Sequence, residues 1–146
     1  MGYLLNGVAQ KIERYNMGLD QYAGFRSKDG TIKQDEFYWR KHARLQKFML
    51  KEFNIQNPEV KRNNEFSHLG FNGGEGGVKI TKDLIERLKK AIKDKYYDYF
   101  AHDGFFWGQQ FQEEQVKEYE DQDKKFVEWA ETQLNAGKDI GYDCSW

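Results

Sequence analysis

The chain has 146 residues, of which 16% are aromatic and 32% charged, and its formal net charge is -1. This length is typical of one domain, and the near-balance of charge argues against a general nucleic-acid binder, which would be clearly basic. One cysteine, Cys144, excludes an internal disulfide, and no apolar run reaches the length of a membrane span, so the composition predicts a soluble protein of a reducing cytosol.

The charge is unevenly distributed along the chain. Residues 1–62 carry 12 Lys and Arg against 7 Asp and Glu, whereas residues 63–146 carry 11 against 17. Halves of opposite sign attract one another within a fold or between copies of a chain. The asymmetry therefore suggests a dipolar surface, through which the chain could form a homo-oligomer.

The first predicted elements are a helix and a strand. Residues 3–15 place apolar side chains at helical spacing, and residues 18–26 alternate between two faces. In the strand, Leu19 and Ala23 share one face with Phe25, and the other face carries Asp20, Tyr22 and Arg26. The composition of residues 27–30 predicts a turn.

Residues 35–53 have the strongest helical pattern of the N-terminal half. One apolar stripe runs through Tyr38, His42, Leu45, Met49 and Phe53. Beside this stripe, a basic ridge at positions i, i+4, i+7 and i+11 is predicted from Arg40, Arg44, Lys47 and Lys51. The ridge could bind phosphates or the acidic half of the chain, but a solvated or internally paired face is the more ordinary interpretation.

The C-terminal half is predicted to hold two short strands, two helices and a final strand. Residues 66–71 and 77–81 form a hairpin around the glycines at 73–77, and Thr81 caps a helix whose stripe runs from Leu84 to Tyr96. A long helix spans residues 112–135 and ends at Gly137, and residues 138–146 form the last strand. The whole order predicts a single α+β domain, with a small, mostly antiparallel sheet of about four short strands packed by three to four helices.

Few residues fit a catalytic or metal-binding pattern. The glycines at 73–77 lack the lysine and the following helix of a phosphate-binding loop. The histidines and Cys144 do not have zinc-site spacing, and a pair of Cys144 with His102 would depend on the fold alone. Asp20 and Tyr22 would meet Asp143 only if the first and last strands are neighbours, in which case two carboxylates could converge. His42 lies on an apolar stripe, which is more often the place of a hydrogen-bonded core histidine than of a catalyst.

Residues 102–108 (HDGFFWG) are the most unusual stretch. Three aromatic rings in a row fit neither a helix nor a half-buried strand, so they either fill the core from a loop or present a ring to a ligand. Rings beside arginines suit a flat anionic ligand, and equally a protein interface. The predicted ligand-binding residues are Asp20, Tyr22, Trp39, Arg40, His42, Arg44, Phe106, Trp107 and Trp146; no cofactor or metal is predicted.

Five motifs resemble a family of small uncharacterised proteins of tailed bacteriophages, including cyanophages. The motifs are MGLDQY at 17–22, YWRKH at 38–42, VKITKDL at 78–84, GFFWG at 104–108 and YDCSW at 142–146. Trp107 replaces the phenylalanine that is usual in the family. Residues 1–16 are an extension relative to the family core of 17–146, either an added helix or the product of an upstream start. The resemblance carries no established activity.

The resemblance implies a phage protein made in the host cytoplasm. Our first hypothesis is a binding protein without catalytic activity that acts in host takeover or against host defence, by sequestering a nucleotide-like ligand or by capturing a host protein. The second is a small hydrolase or nuclease that uses Asp20, His42, His102 and Asp143. The third is a minor component of the virion.

Overall fold

The computed structural model describes residues 19–32, 36–59, 71, 76–94 and 116–146. Within these ranges the chain forms four strands and three helices, in the order β1 (Asp20–Phe25), β2 (Phe37–Arg40), α1 (Ala43–Gln56), β3 (Val78–Lys79), α2 (Lys82–Lys93), α3 (Val116–Asn135) and β4 (Ile140–Ser145). The predicted α+β class is confirmed.

The four strands form one antiparallel sheet in the order β2-β1-β4-β3. The chain's first and last described strands are therefore neighbours at the centre, with Tyr22 opposite Asp143 and Asp20 opposite Ser145. Because successive side chains point to opposite faces, the register gives the sheet two distinct faces. We call the face that carries Gln21, Ala23 and Trp39 the inner face, and the face that carries Asp20, Tyr22 and Arg40 the outer face.

The inner face packs on helices through aromatic rings. Trp39 lies 5.2 Å from the ring of Phe126 in α3, and Phe37 lies 5.5 Å from the same ring, both nearly perpendicular to it. Edge-to-face pairs of this kind are favoured over face-to-face ones because of the ring quadrupole. Phe53 of α1 stacks on Phe71 at 4.5 Å. All seven elements contribute to one hydrophobic core, as expected for a chain that is rich in rings and poor in aliphatic residues.

The helix predicted for residues 35–53 is wrong in its first part. Residues 37–40 form strand β2, in which Trp39 is buried while Tyr38 and Arg40 are exposed. This alternation is the one expected of a strand with one buried face, whereas the apolar stripe of a helix would have buried Tyr38. Lys41 then adopts a φ of 59°, which turns the chain, and α1 begins after His42.

The other predicted boundaries of described elements are close to the observed ones. Thr81 caps α2 by accepting a hydrogen bond from the Leu84 amide, and Gly137, at φ 75°, follows the end of α3 as a left-handed residue. Strand β3 pairs with β4, and the first strand of the predicted hairpin lies outside the described residues except for Phe71, which belongs to no strand. The predictions for residues 3–15, 66–70, 73–75, 95–96, 102–108 and 112–115 lie outside the described residues.

Candidate functional site

A charged and aromatic cluster lies on the outer face, where β1 pairs with the edge strand β2. Asp20 accepts hydrogen bonds from Tyr38 Oη at 2.5 Å and from Arg40 Nη1 at 2.8 Å, both on its Oδ1. The register explains the meeting, because Asp20 of β1 is directly opposite Arg40 and diagonally opposite Tyr38 on the edge strand β2. We call these three residues the outer cluster. Tyr38 is 49% exposed, and the Arg40 side chain is 48% exposed.

Two members of the outer cluster, Tyr38 and Arg40, have raised pKa values. Partial burial and the hydrogen bond to Asp20 raise the pKa of Tyr38, which therefore stays neutral. The hydrogen bond with Tyr38 and the Asp20 carboxylate raise the pKa of Arg40. Partial burial and the neighbouring Arg40 lower the pKa of Lys41. The cluster thus presents a phenol and a guanidinium side by side, both oriented by one carboxylate.

The two carboxylates predicted to converge do lie on the same face of neighbouring strands. Asp143 is opposite Tyr22, so Asp20 and Asp143 are diagonal neighbours, which in an antiparallel pair are about 7–8 Å apart. Each has another role, however. Asp20 accepts hydrogen bonds from Tyr38 and Arg40 within the outer cluster. Asp143 Oδ1 accepts a hydrogen bond from the Cys144 amide at 2.8 Å.

Trp39 and His42 lie inside the protein, on a carboxylate from α3. Asp123, fully buried, accepts the indole N–H of Trp39 at 3.0 Å on Oδ1, and its Oδ2 lies 2.8 Å from His42 Nε2. The Leu45 amide donates to His42 Nδ1 at 3.4 Å as the N-cap bond of α1. Since Nδ1 accepts, Nε2 carries the proton and donates to Asp123. Both ring nitrogens of His42 are therefore engaged inside the protein.

This arrangement does not support the two roles predicted for Trp39 and His42. The Trp39 ring is 1% exposed and His42 is 0% exposed, so neither offers a surface to a ligand. His42 stacks instead on the ring of Tyr119 at a centroid distance of 4.1 Å. His42 also donates to Asp123 on the inner side of the sheet, whereas Asp20 and Asp143 lie on the outer face. The structure therefore does not assemble a His–Asp proton relay from His42, Asp20 and Asp143.

The four residues of the predicted basic ridge do not lie in one row on a helix. Arg40 belongs to β2 and not to the helix, and Arg44, at the start of α1, is 1% exposed. Of the remaining two lysines, Lys47 is half-buried and Lys51 is exposed. Among these four residues, only Arg40 joins Asp20 and Tyr22 on the outer face. The error follows from the helix boundary, because the i, i+4 spacing holds only if the helix includes Arg40.

A second set of polar residues, not predicted, links the strands to α1 within the core. Gln21 Nε2 donates to the carbonyl of His42 and to Tyr142 Oη, and Tyr142 Oη donates to Gln46 Oε1 at 2.6 Å. Gln46 Nε2 in turn lies 3.3 Å from Cys144 Sγ. Burial raises the pKa of Tyr142 well above its usual range. The alternation of β1 places Gln21 on the same face as Leu19 and Ala23, and that pattern could have revealed it.

The remaining predicted residues fall in two groups. The Trp146 indole donates to the carbonyl of Phe71 at 2.6 Å and is half-buried, so it fastens the C-terminal residues to the core. Phe106, Trp107 and His102 lie outside the described residues. The structure thus brings together Asp20, Tyr22 and Arg40, adds Tyr38 to them, and separates them from Trp39, His42 and Arg44.

Both edges of the sheet are covered by helix side chains. On β2, the Tyr38 carbonyl accepts from Gln122 Nε2 at 2.6 Å and the Arg40 carbonyl accepts from Tyr119 Oη at 2.7 Å. On β3, the side chain of Gln56 bonds the backbone of Lys79 as a neighbouring strand would. Its Nε2 donates to the Lys79 carbonyl at 2.8 Å, and its Oε1 accepts from the Lys79 backbone amide at 2.9 Å. These bonds disfavour strand addition by another chain.

No group of three or more metal-binding side chains occurs among the described residues. Within the same ranges, no helix is both long enough and apolar enough to cross a membrane. Comparisons with protein families, with curated proteins and with solved structures found no match to this chain.

Proposed function

We propose that this chain is a phage-encoded binding protein without catalytic activity, which captures a host protein on the outer face of its sheet during infection. The observation that carries the proposal is the outer cluster of Asp20, Tyr38 and Arg40, which is half-exposed and already ordered by its own hydrogen bonds. The resemblance of residues 17–146 to small tailed-phage proteins supports action in the host cytoplasm, in host takeover or against host defence.

The composition of the outer cluster suits a protein interface. Tyrosine and arginine are enriched among the residues that contribute most to binding, because each combines a large contact area with directed hydrogen bonds. Asp20 holds both side chains in place before binding, which lowers the entropy lost when the partner arrives. A partner with a carboxylate to meet Arg40 and a flat apolar group to cover Tyr38 fits this surface.

The alternatives have weaker support from the described residues. A nucleotide-like ligand was expected to stack on one of four rings, Trp39, Phe106, Trp107 or Trp146. Trp39 is enclosed, Trp146 is half-buried, and the other two lie outside the described residues. Among the described residues, Tyr38 is an exposed ring beside Arg40. A hydrolase or nuclease would need a free acid or base near Asp20, and both nitrogens of His42 are already engaged. A virion component would be abundant in purified phage particles, and mass spectrometry of such particles separates this role from capture of a host protein.

A site-specific photo-crosslinker tests the proposal. We would place the photoreactive residue at position 38 in one variant and at position 55 in the other, where Ile55 is 66% exposed on α1. We expect one defined host adduct from position 38, none from position 55, and loss of the adduct when Arg40→Glu is added. Equal adducts from both positions, or an adduct that is indifferent to Arg40→Glu, would refute the proposed surface.

Calorimetry separates the nucleotide alternative from protein capture. Mono-, di- and cyclic nucleotides would be titrated at concentrations up to about 100 μM, which corresponds to a binding free energy near -5.5 kcal/mol. Binding that is lost in Tyr38→Ala would favour the nucleotide-like ligand at the outer cluster. Absence of heat with every nucleotide, together with the crosslinked adduct, would favour the protein partner.

A further inference from the structure

A polar cleft lies at the edge of the sheet that is opposite to the outer cluster. It encloses about 400 Å³ beside β3, and it is formed where the end of α1, the start of α2 and the turn before β3 meet the chain that follows β1. The described residues that line it are Arg26, Gln56, Asn57, Gly76, Gly77, Lys79 and Thr81. We call it the edge cleft. Its volume falls within the range of small-molecule sites, about 300–1,000 Å³.

The sheet register brings the two cations of the edge cleft side by side. Lys79 is directly opposite Gly141, and the aliphatic stem of Arg26 covers Gly141, since a Cβ built there would lie 2.9 Å from Arg26 Cγ and Cδ. Opposed residues of an antiparallel pair have Cβ positions about 4.5–5.5 Å apart on one face. The glycine at 141 therefore leaves the space that the Arg26 side chain occupies beside Lys79.

Neither cation is fully satisfied by the described part of the protein. Arg26 Nη1 donates to Asp139 at 3.1 Å, but its Nε is buried and has no hydrogen-bond partner, alone among the described side chains. Lys79 forms no ion pair with the described residues, and its side chain is exposed. Buried polar groups nearly always have a partner, so this N–H leaves Arg26 with one donor that the described residues do not use.

The polarity of the edge cleft favours an anion. None of its described lining residues is acidic, whereas two are cationic. Two carboxylates lie close by: Asp139 pairs with Arg26 from one side, and Asp143 lies beneath Gly77, where it accepts a hydrogen bond from the Cys144 amide. Both lie outside the described lining, so the cations remain the charged groups that a ligand in the cleft would meet.

We infer that the edge cleft binds a phosphate group, either as the free ion or as a small phosphate ester. A guanidinium supplies a planar fork of donors and a lysine supplies a mobile point charge, and together they suit the oxygens of a dianion better than a single carboxylate. The site is separate from the outer cluster, because β2 and β3 are the two opposite edges of the sheet. It therefore stands or falls independently of the proposed protein capture.

Amide NMR spectra of the full chain, titrated at constant ionic strength, test the inference. Inorganic phosphate should shift the signals of Gly76, Gly77 and Lys79 along a saturable curve in the millimolar range, and chloride should not. Lys79→Gln should weaken phosphate binding by about fivefold or more, since it removes one of two charge-assisted contacts. Lys82→Gln is the matched control, because Lys82 is exposed nearby and does not line the cleft.

A third variant tests Arg26 by a gain of binding. Asp139→Asn removes the carboxylate that competes for the guanidinium, so phosphate should bind more tightly, which a purely structural role of Arg26 would not produce. A nucleoside monophosphate that binds more tightly than phosphate would assign the site to a phosphate ester, and equal affinities would assign it to the phosphate group itself. No saturable shift at 10 mM phosphate or ester, on the order of the weakest useful affinity, or equal losses in Lys79→Gln and Lys82→Gln, would overturn the inference.

Discussion

Asp123 holds three elements together, and its removal should have a large effect on stability. The carboxylate comes from α3, and its two partners are the Trp39 indole of β2 and the His42 ring that caps α1. All three side chains are 0% or 1% exposed, so water cannot replace a lost bond without opening the core. In Asp123→Ala, both donors would lose their acceptor in a buried place.

The size of the effect follows from the number of unpaired donors. A buried donor without a partner costs about 1–3 kcal/mol, so two of them cost about 2–6 kcal/mol. This is a large part of the free energy of unfolding of a typical domain, about 5–15 kcal/mol. In Asp123→Asn the amide oxygen takes the place of one carboxylate oxygen and serves that donor, and the NH2 group, itself a donor, faces the other. A change of tautomer in His42 would only move the conflict to the Leu45 amide. We expect this variant to lose about 1–3 kcal/mol.

Urea unfolding followed by circular dichroism and by tryptophan fluorescence measures these differences. Asp121 is the matched control, since it lies two residues away on the exposed side of α3, and Asp121→Ala should stay within about 0.5 kcal/mol of the wild type. Trp39→Phe combined with Asp123→Ala should show a coupling of at least about 1 kcal/mol, because the two residues share one bond. An Asp123→Ala protein as stable as the Asp121→Ala control would refute the role of the buried network.

Three further predictions concern the same core and the covered edge. Burial raises the pKa of Tyr142 above its usual 10.0. Above about pH 10 only the unfolded chain therefore releases this proton, and the free energy of unfolding falls by up to about 1.4 kcal/mol per pH unit. Tyr142→Phe should flatten this fall in urea titrations, and an unchanged slope would contradict the assignment. Gly77→Ala should lower the free energy of unfolding by about 3 kcal/mol or more, because φ is 63° and a Cβ would lie 2.6 Å from a backbone oxygen. Gly76→Ala, with open space around the glycine, should lower it by about 1–2 kcal/mol. Equal losses in the two variants would argue against the close packing at Gly77. Gln56→Ala should cost about 1 kcal/mol and speed amide exchange in β3, while the exposed Asn54→Ala should not; unchanged exchange would show that this edge needs no cover.

Local patterns in the sequence were enough to predict much of the fold. The alternation in residues 18–26, the cap at Thr81 and the glycine after α3 each depend on neighbours within a few positions, and each is observed. Residues 35–53 show the limit of such patterns. Four residues can satisfy either a helical stripe or a strand alternation, and the pairing of β2 with β1 decides between them.

The candidate site was only partly predictable for a related reason. Asp20 and Tyr22 were identified from residue type and strand face, whereas Arg40 was identified as part of a helical ridge that does not form. Their meeting depends on a register between β1 and β2 that no local pattern specifies. Trp39, His42 and Arg44 were chosen for the same chemistry and lie inside the protein. A side chain that can bind a ligand can also satisfy a buried partner, and the two uses look alike in sequence.

The sequence by itself therefore determined the α+β class, most boundaries of the described elements and the chemical groups available. The tertiary structure decided which of those groups remain exposed. Asp123 is 81 residues from His42 along the chain, and Lys79 lines the same cleft as Arg26 only because β3 and β1 flank β4. Burial and strand register are properties of contacts between distant segments, so the separation of the buried network from the outer cluster and the edge cleft appears only once the chain has folded.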